Sequence, residues 1–438
     1  MNLIDIAEQT QSIALDLGAQ EVEVNVSRAV STEMGQRKGR IEKSKQARSM
    51  GISVQLLVDG RFSSHSASDA RPEAMRSFLA KAIAATRSLE SDPNRGLADV
   101  ESMGSASVEI DIMDQSWHDR SPGVRRRELA ELEESCLTAS SKAPLRSVTV
   151  WAWDAMTESC KVCSNGHQSK WQRTSFGKGG EITLEDQDGR LPEAYDFYSS
   201  RHHEDLPDVE LIAKSLVERG QRRIGSKAIK SQCIPMLLEN RSVPRVLSVL
   251  TGPMNGSAIY EKRSCLMNKL GEKIGADGFD LIHDPHVPRG LASHYTDSDG
   301  LPTKRINLMK NGELQAFFIS VYNSRRLKKP VTTGNSANLI VPEGSRSPMA
   351  ILKSLPKAIR VDGFLGGNAN PLTGDFSFGV NGILFEHGEP VQGISEMNIS
   401  GNLFTLLPKW KESANDAWRY GSCRSPSLLF DNVQFSGT

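Results

Sequence analysis

Nine histidines are the first side chains to consider for metal chemistry. A hydrolytic zinc site usually shows two histidines one helical turn apart with a glutamate beside them, as in HExxH. That motif is absent from the sequence. A looser group, His283, His286 and His294, lies in HDPHVPRGLASH, where Pro285 and Pro288 rule out a regular helix. Because no regular element would hold these imidazoles in one geometry, the sequence favours loop histidines over a metal site.

Cysteine and serine chemistry is also weakly indicated. Six cysteines in 438 residues are too sparse for a secreted disulfide framework. Cys160 and Cys163 form a CxxC pair, the spacing of a zinc knuckle or a redox centre, but no second CxxC accompanies it. The pair therefore favours two ordinary thiols near the end of a strand. GxSxG is absent, so no serine nucleophile on a strand-to-helix elbow is predicted.

Residues 370–390, NPLTGDFSFGVNGILFEHGEP, are rich in glycine and could suggest a loop that cradles phosphate. Such a loop needs a strand before it and a helix after it, so that backbone N–H groups and the helix dipole meet the anion. Here the following residues alternate and are interrupted by His387 and Gly388. The pattern predicts two strands joined by a tight turn.

Charge and composition restrict the class of partner. Lysine plus arginine and aspartate plus glutamate both number 53, so no overall field favours nucleic acid or an anionic membrane. No window approaches about 18 uninterrupted apolar residues, the length needed for a membrane span. The N-terminal residues carry no basic leader and suit an amphipathic helix. We therefore expect a cytoplasmic protein without a membrane segment, for which direct nucleic-acid binding is not indicated.

The elements around these side chains alternate between helix and strand. Helices are predicted at residues 2–17, 71–89, 121–142 and 205–225 from apolar residues at helical spacing. For the second helix, Ser68 and Asp69 are the expected caps and Pro72 lies in the first turn. Hairpins are predicted at turn pairs of the Asn-Gly and Asp-Gly type. These pairs are Asp59-Gly60, Asn165-Gly166, Asp188-Gly189 and Asn311-Gly312.

Together these elements predict an α+β fold in two domains. The first, residues 1–222, mixes helix and strand, and the second, residues 223–438, is rich in strands. The boundary is placed where the helical pattern of 205–225 ends and a new strand pattern begins with CIPMLLE.

Several stretches, taken in order, resemble the TldD/PmbA family. They run from near residue 50 to the C-terminus and are specific as a set. The stretches are GISVQLLVDGRFSSHSASD (51–69), SNGHQSKWQRTSFG (164–177), AYDFYSSRHHEDL (194–206), DSDGLPTKRINLMKNGEL (297–314), TGNSAN (333–338) and NPLTGDFSFGVNGILFEHGEPVQGISEMNISGNL (370–403).

The resemblance implies a cytosolic two-subunit metalloprotease, a family also described as modulators of DNA gyrase. In its TldD-type subunit a helix carries HExxxH, a later cysteine completes the zinc site, and the glutamate is the general base. The PmbA-type subunit, also called TldE, has the same fold without those ligands. Here the helix expected at that place, residues 242–264, contains no histidine. Its Val243, Val246, Leu247 and Leu250 have the spacing of a packing face.

The chain is therefore expected to be of the PmbA type, with no catalytic residue, no metal and no cofactor of its own. The resemblance implies a heterodimer with a TldD-type subunit that holds zinc, homodimer formation when that partner is missing, and unfolded peptides or peptide precursors as substrates. Cys423 lies where the zinc subunit keeps its cysteine, but its spacing to the closing strand is short and one thiolate cannot hold zinc alone. The resemblance also places part of the glycine-rich strand at the substrate cleft, where a peptide could add to a sheet edge. The expected cleft residues are Asn370, Gly374, Asp375, Phe376, Ser377 and Gly379.

Two other functions stay open at this point. One is a self-sufficient metallohydrolase with atypical ligands such as His283, His286 and Cys423. The other is a binding protein that modulates DNA gyrase without proteolysis, although the balanced charge argues against direct DNA binding.

Overall fold

The structure is a computed structural model that describes residues 2–140 and 144–437. Helices and strands alternate along the chain, which confirms the α+β class. The helices are α1 Leu3–Asp16, α2 Pro72–Thr86, α3 Pro122–Ala139, α4 Val209–Gln221, α5 Val243–Thr251, α6 Gly256–Tyr260, α7 Val321–Leu327, α8 Pro348–Lys353 and α9 Leu403–Leu406. Within the described ranges, no helix combines the length and the apolar character needed to cross a lipid bilayer.

The strands form three sheets. The first sheet contains β1 Glu21–Arg37, β2 Arg40–Val58, β3 Arg61–Ala67, β4 Leu145–Cys163, β5 Gln168–Leu184 and β6 Glu193–Ser200. The other two contain β7 Gln232–Leu238, β8 Leu281–Asp284, β9 Ile306–Lys310, β10 Glu313–Leu314, β11 Asn338–Ile340, β12 Lys357–Ala369, β13 Asp375–Glu386, β14 Glu389–Asn402, β15 Trp410–Ser413, β16 Cys423–Arg424 and β17 Leu428–Ser436.

The first sheet is antiparallel throughout, in the order β3-β2-β1-β4-β5-β6. Two-residue turns at Lys38-Gly39 and Asp59-Gly60 join its first three strands, and all four turn residues have positive φ, as this turn type requires. Apolar side chains of α1 and α2 pack against β1 and β2, whereas α3 and α4 pack against β4, β5 and β6. β3 is left as an edge strand.

The remaining two sheets are built from residues 232–436. One has the order β10-β9-β8-β11-β16, and the other has the order β14-β13-β12-β7-β17-β15. β14 also pairs with β17. The five strands β14, β13, β12, β7 and β17 therefore close into a barrel. The largest apolar core fills this barrel and extends to α5 and the β8–β9 hairpin.

The predicted hairpins at Asp59-Gly60 and Asn311-Gly312 and the turn at His387-Gly388 are confirmed by the strands that flank them. The predicted helices at 2–17, 71–89 and 205–225 are present as α1, α2 and α4 with shorter ends. α3 corresponds to the predicted helix at 121–142, of which Ser141 and Lys142 lie outside the described residues. The domain limits stay a prediction, and their outer ends, Met1 and Thr438, also lie outside the described residues.

The predicted caps of α2 were wrong. The helix begins at Pro72 with Arg71 as its N-cap residue, and no side chain caps it. The residue before a proline is held in an extended conformation, so the helix cannot begin earlier. Asp69 instead accepts hydrogen bonds from the backbone and side chain of Arg71 at 3.0 Å.

The single helix expected at residues 242–264 was also wrong. α5 ends at Thr251 and the short α6 begins only at Gly256. Gly252 still has helical backbone geometry as the C-cap residue, and the physical reason for the break is Pro253, because proline has no N–H to continue the helical hydrogen bonds and its ring clashes with the carbonyl one turn earlier. Asn255 then restarts the helix by accepting a hydrogen bond from the Ser257 backbone N–H at 2.9 Å.

Candidate functional site

A cleft of about 710 Å³ lies between the first sheet and the C-terminal half. Such a volume is within the range that small-molecule and peptide side-chain sites occupy. The cleft is lined by Glu21, Glu23, Gln55, Leu56, Leu57, Phe62, Ser64, Arg95, Gly96, Leu97, Ala98, Ser248, Thr251, Gly252, Asn255, Ser257, Ser298, Asp299, Phe318, Ser320, Val321, Tyr322, Asn323, Gly334, Asn335, Ser336 and Leu339.

One wall of the cleft is the polar side of α5. The apolar side of this helix is buried as its spacing predicts, with Leu250 fully inaccessible. Ser248 and Thr251 line the cleft instead. Both hydroxyl groups donate to carbonyl oxygens of their own helix, Ser248 to Arg245 at 2.7 Å and Thr251 to Leu247 at 3.1 Å. This wall therefore presents neither imidazole nor carboxylate to the cleft.

These donors do not fit a zinc ion. Protein zinc sites use thiolate, imidazole and carboxylate ligands, and a serine or threonine hydroxyl already bonded to its own helix is none of these. Across the described residues, no group of three or more histidine, cysteine, aspartate or glutamate side chains is arranged to hold a metal ion.

A buried ion pair crosses the opposite wall. Glu23 on β1 and Lys161 on β4 lie 3.0 Å apart, with side chains only 6% and 11% exposed. Asn25 and Gln55 donate to the other oxygen of Glu23 at 2.8 and 3.1 Å. Lys161 also donates to the backbone carbonyl of Ser298 at 2.5 Å, which ties the first sheet to the C-terminal half. Both oxygens of this carboxylate therefore have partners within the chain.

Asp299 is the cleft carboxyl group whose titration is perturbed. Burial raises its pKa above the ordinary value, and the neighbouring carboxylates of Asp297 and Glu23 add to the rise. One of its oxygens accepts the backbone N–H of Val321 at 2.7 Å, at the start of α7. Asp297 holds the same loop in place by accepting the backbone N–H of Gly334 at 2.8 Å. A carboxyl group of raised pKa in a cleft is suited to donate a hydrogen bond to a bound carbonyl.

The rim of the cleft is aromatic and cationic. The guanidinium group of Arg95 lies 4.2 Å from the centre of the Phe62 ring and 3.6 Å from that of Tyr322. Arg325 of α7 donates to the backbone carbonyls of Gly96 and Leu97 at 3.0 and 2.7 Å, which fixes the loop that carries Arg95. Such stacking holds a flat cation in a defined position at the mouth of the cleft.

β3 brings an open sheet edge to the cleft. In a two-residue hairpin the pair that closes the turn, here Val58 and Arg61, is hydrogen-bonded. Hydrogen-bonded and non-hydrogen-bonded pairs then alternate along the two strands, which puts Ser64 in a non-hydrogen-bonded pair. By this alternation the backbone N–H of Ser64 points away from β2. Ser64 is exposed and lines the cleft. Among the described residues, the outer side of β3 pairs only through the bridge between Arg61 and Ser91, so a peptide could add to this edge.

The six cleft residues expected from the glycine-rich stretch lie together in the β12–β13 hairpin, and none of them lines the 710 Å³ cleft. Asn370 and Gly374 form the turn, with the N–H of Gly374 donating to the carbonyl of Asn370 at 2.8 Å. Asp375 is exposed and accepts hydrogen bonds from Thr373 and Asn402.

The remaining expected residues of that hairpin, Phe376, Ser377 and Gly379, contact neighbouring residues of the same sheet. Phe376 is buried and stacks on Phe378 with ring centres 5.4 Å apart. The hydroxyl of Ser377 lies 2.9 Å from that of Ser400 on β14. A side chain at Gly379 would come within 2.5 Å of the Leu365 carbonyl, so this glycine permits close approach of β12. Their role at a substrate cleft stays a prediction.

The alternative metal ligands do not converge on one point. His283 on β8 and Cys423 on β16 are both paired with Leu339 of β11, so a whole strand separates their backbones. His283 is fully buried, both its ring nitrogens lack a partner, and burial lowers its pKa to about 4. Burial raises the pKa of Cys423 to about 12. His286 contacts Thr303 at 3.0 Å instead.

The CxxC pair lies within β4. Residues three apart on a strand point to opposite faces, so the two thiols cannot bind one ion together. Cys160 belongs to the core beneath α1, whereas Cys163 lies beside Glu23 at 3.9 Å. Burial raises their pKa values to about 11 and about 12, which keeps both as thiols.

Comparison with known proteins gives this architecture a class. Two family models match the chain, the PmbA/TldA metallopeptidase domain 1 at residues 22–86 and the PmbA/TldA metallopeptidase C-terminal domain at residues 231–437. A helix-flanked sheet joined across a cleft to a closed barrel is thus a metallopeptidase-family architecture. The crystal structure of a proposed modulator of DNA gyrase from Bacteroides thetaiotaomicron is 30% identical, with 99% of each chain covered and a TM-score of 0.93. The chain belongs to the TldD/PmbA family.

More distant relatives extend the same likeness over the full length. The metalloprotease PmbA of Escherichia coli O157:H7 is 24% identical over 438 residues, which are 99% of this chain and 96% of that protein. The crystal structure of TldE from Thermococcus kodakarensis is 19% identical with a TM-score of 0.86 and covers 99% of this chain. At that identity the match concerns the fold.

Three of the family-like stretches meet at the cleft. Residues 51–69 supply Phe62 and Ser64, residues 297–314 supply Asp299, and residues 333–338 supply Asn335. Sequence reasoning quoted these stretches but did not single out their cleft residues. The signal available was the DSDG turn at 297–300, whose carboxyl groups are close together in sequence.

Proposed function

We propose that this chain is the PmbA/TldE-type subunit of a two-subunit metalloprotease, in which it holds extended peptide and a TldD-type partner chain holds zinc. The observation that carries the proposal is the cleft side of α5, where Ser248 and Thr251 occupy positions facing the cavity and bond to their own helix. A peptidase of this family without ligands on that helix needs a second chain for chemistry. In the absence of its partner, the chain is expected to form a homodimer, because both subunit types of the family share one fold and pair through it.

We assign the binding of the substrate peptide to the cleft. An extended peptide would pair with the outer edge of β3, with the backbone N–H of Ser64 donating to a peptide carbonyl. Burial raises the pKa of Asp299, and in its protonated form this carboxyl group would donate to a second carbonyl. Unfolded peptides or peptide precursors suit this geometry, because only an unpaired backbone can add to a sheet edge. Holding substrate near a reactive centre on the partner lowers a barrier by positioning.

The cytoplasm is the proposed compartment. All six cysteines are free, and four of them, Cys136, Cys160, Cys163 and Cys423, are buried. Free thiols of this kind are usual in a reducing compartment and unusual in secreted proteins.

The test compares three samples on one unstructured peptide, with and without a chelator: this chain, a TldD-type chain from the same source, and both together. We expect cleavage only by the mixture, or cleavage by the partner that this chain raises, and elemental analysis should find no stoichiometric zinc in this chain. Chelator-sensitive cleavage by this chain alone would favour the self-sufficient hydrolase. Full activity of the partner alone would leave this chain without the proposed role.

A matched pair of variants tests the grip separately. Ser64→Pro removes the outward N–H of β3, whereas Ser64→Ala keeps it and removes only the hydroxyl. In the mixture we expect Ser64→Pro to reduce cleavage about tenfold, the loss of one hydrogen bond to substrate, and Ser64→Ala to leave it near the parent rate. Equal rates for the two variants would place the peptide elsewhere.

A further inference from the structure

A second cavity, which we call the arginine pocket, lies where the end of α4 meets the barrel. Its volume is about 350 Å³, and it is distant in sequence from the cleft residues described above. It is lined by Asp186, Arg190, Leu191, Pro192, Glu193, Arg219, Arg222, Arg223, Ser226, Asp362, Leu365, Asn381, Gly382, Ile394, Ser395 and Glu396.

The floor of the arginine pocket is formed by three strands with two bulges. β12 departs from regular register at Asp362, and β14 departs from it at Ser395 and Glu396. Gly382 of β13 lies between the two bulges, paired with Val361 on one side and Ile394 on the other. Glu396 has a φ of +56°, which is uncommon for a residue with a side chain. Bulges of this kind redirect side chains and are frequent beside binding sites.

Three arginines form the wall above this floor. Arg219, Arg222 and Arg223 have i, i+3 and i+4 spacing at the end of α4, so their side chains share one face. The end of the helix lies directly on β14, because a side chain at Gly393 would come within 2.7 Å of the Arg222 carbonyl. The arginines are therefore held against the bulged strand rather than extended into solvent.

The carboxylates around the arginine pocket compensate these cations unequally. Arg219 makes a two-point contact with Glu239, at 2.5 and 3.1 Å. Arg222 has two longer contacts, with Glu218 at 3.4 Å and with Asp362 at 4.0 Å. Arg223 forms no ion pair with any described carboxylate, and its hydrogen bond goes to the backbone carbonyl of Glu193.

Two further observations concern the polar groups that face the arginine pocket. Burial lowers the pKa values of Arg222 and Arg223, and the guanidinium groups of Arg360 and Arg219 respectively lower them further. The hydroxyl of Ser395, on the bulge, is buried without a hydrogen-bond partner. A buried hydroxyl without a partner destabilises the protein unless a ligand bonds to it.

We propose that the arginine pocket binds the phosphate group of a small phosphorylated ligand, with Arg222, Arg223 and Ser395 as donors. Guanidinium groups match the oxygens of phosphate in pairs, and Arg223 forms no ion pair with a described carboxylate that a phosphate would have to displace. A cavity of about 350 Å³ also exceeds what one inorganic ion needs and suits a phosphomonoester with a small organic part. The proposal does not depend on the function assigned to the cleft.

The test is calorimetric titration of the full chain with three probes at matched ionic strength: inorganic phosphate, adenosine 5′-monophosphate, and acetate. We expect both phosphate probes to bind and acetate not to bind. Tighter binding of the monophosphate would identify a phosphomonoester as the ligand, and equal binding would identify phosphate itself. Absence of binding by both phosphate probes, or acetate binding as tight as phosphate, would overturn the proposal.

Variants locate the binding site. Arg223→Gln should weaken phosphate binding about tenfold or more, the usual effect of losing one charge-assisted hydrogen bond. Arg222→Gln and Ser395→Ala serve as second and third variants, and circular dichroism checks that each one folds. Arg71→Gln, at an exposed surface arginine that pairs only with Asp69, is the matched control and should bind as the parent does. Binding that survives unchanged in all three pocket variants would show an adventitious site elsewhere.

Discussion

The cleft and the arginine pocket both lie between the N-terminal and C-terminal parts of the chain, but they differ in how their cations are paired with carboxylates. In the cleft the cation Lys161 is matched by Glu23, and amide groups complete the carboxylate's hydrogen bonds. In the arginine pocket Arg223 forms no ion pair with a described carboxylate, and its hydrogen bond goes to a backbone carbonyl. The first arrangement holds two parts of the protein together, and the second leaves charge available for something outside the chain.

Whether a cation is paired with a carboxylate of the same chain distinguishes a structural charge from a functional one more reliably than the type of residue does. A buried ion pair whose members satisfy each other contributes to stability only as a unit, because removing one member leaves the other uncompensated. A cation whose partner is missing already carries that cost in the folded protein. Its removal is therefore expected to affect binding much more than folding. The predictions below test this contrast in order of decreasing effect on stability.

The largest expected effect is at the ion pair of the cleft. Lys161→Met leaves Glu23 buried without its cation and should lower the free energy of unfolding by about 3–5 kcal/mol. Urea denaturation measures the change. The double variant Lys161→Met with Glu23→Gln removes both charges and keeps an acceptor for Asn25 and Gln55, so it should recover at least half of the loss. A single variant as stable as the parent would mean that the pair is not structural.

Sequence reasoning succeeded where structure depends on local hydrogen bonds. α1, the hairpins at Asp59-Gly60 and Asn311-Gly312, and the turn at His387-Gly388 are all specified by adjacent residues. The buried side of α5 was predicted from apolar spacing alone. Periodicity, however, does not indicate where a helix stops, and the break at Gly252-Pro253 was missed although both residues disfavour helix.

The candidate sites were harder to predict because they depend on which distant segments meet. Phe62, Arg95 and Tyr322 form one stacked group, although up to 260 positions separate them in sequence. Arg219, Arg222 and Arg223 are close in sequence, but an arginine-rich helix end is usually a solvated surface. It is distinguished by its contact with two bulged strands and by Arg223, which forms no ion pair with any carboxylate in the described part of the chain. Neither feature is encoded in the local pattern.

An intermediate effect is expected at Asp299, the perturbed carboxyl of the cleft. Because its folded-state pKa is raised above the ordinary aspartate value of 3.8, the folded protein holds a proton that the unfolded chain has already lost. Stability therefore falls as the pH rises from 3.8 through the folded-state pKa. Asp299→Asn cannot lose this proton, and its amide oxygen can still accept the N–H of Val321. The variant should be more stable than the parent at pH 7.

The same variant gives a pH profile that distinguishes titration from a general effect of substitution. The difference in urea midpoint between Asp299→Asn and the parent should grow from pH 4 upwards and then become constant. Asp16→Asn, at an exposed carboxyl 3.7 Å from Arg76, is the control and should not show this growth. A difference that is constant over the whole range would contradict the assigned titration.

The smallest effect on stability is expected in the arginine pocket. Arg223→Gln removes a half-buried cation that burial and Arg219 already disfavour, and it leaves no described carboxylate without a partner. In phosphate-free buffer the free energy of unfolding should therefore change by less than about 0.5 kcal/mol, as for an ordinary surface substitution. Added phosphate should then make the stabilities of the parent and of Arg223→Gln differ. A ligand that binds only the folded state raises the free energy of unfolding by an amount that grows with the logarithm of its affinity. The parent's urea midpoint should rise with phosphate and that of Arg223→Gln should rise less. A loss above about 1 kcal/mol without phosphate would show that Arg223 is structural, like Lys161, and would remove the contrast between the two regions.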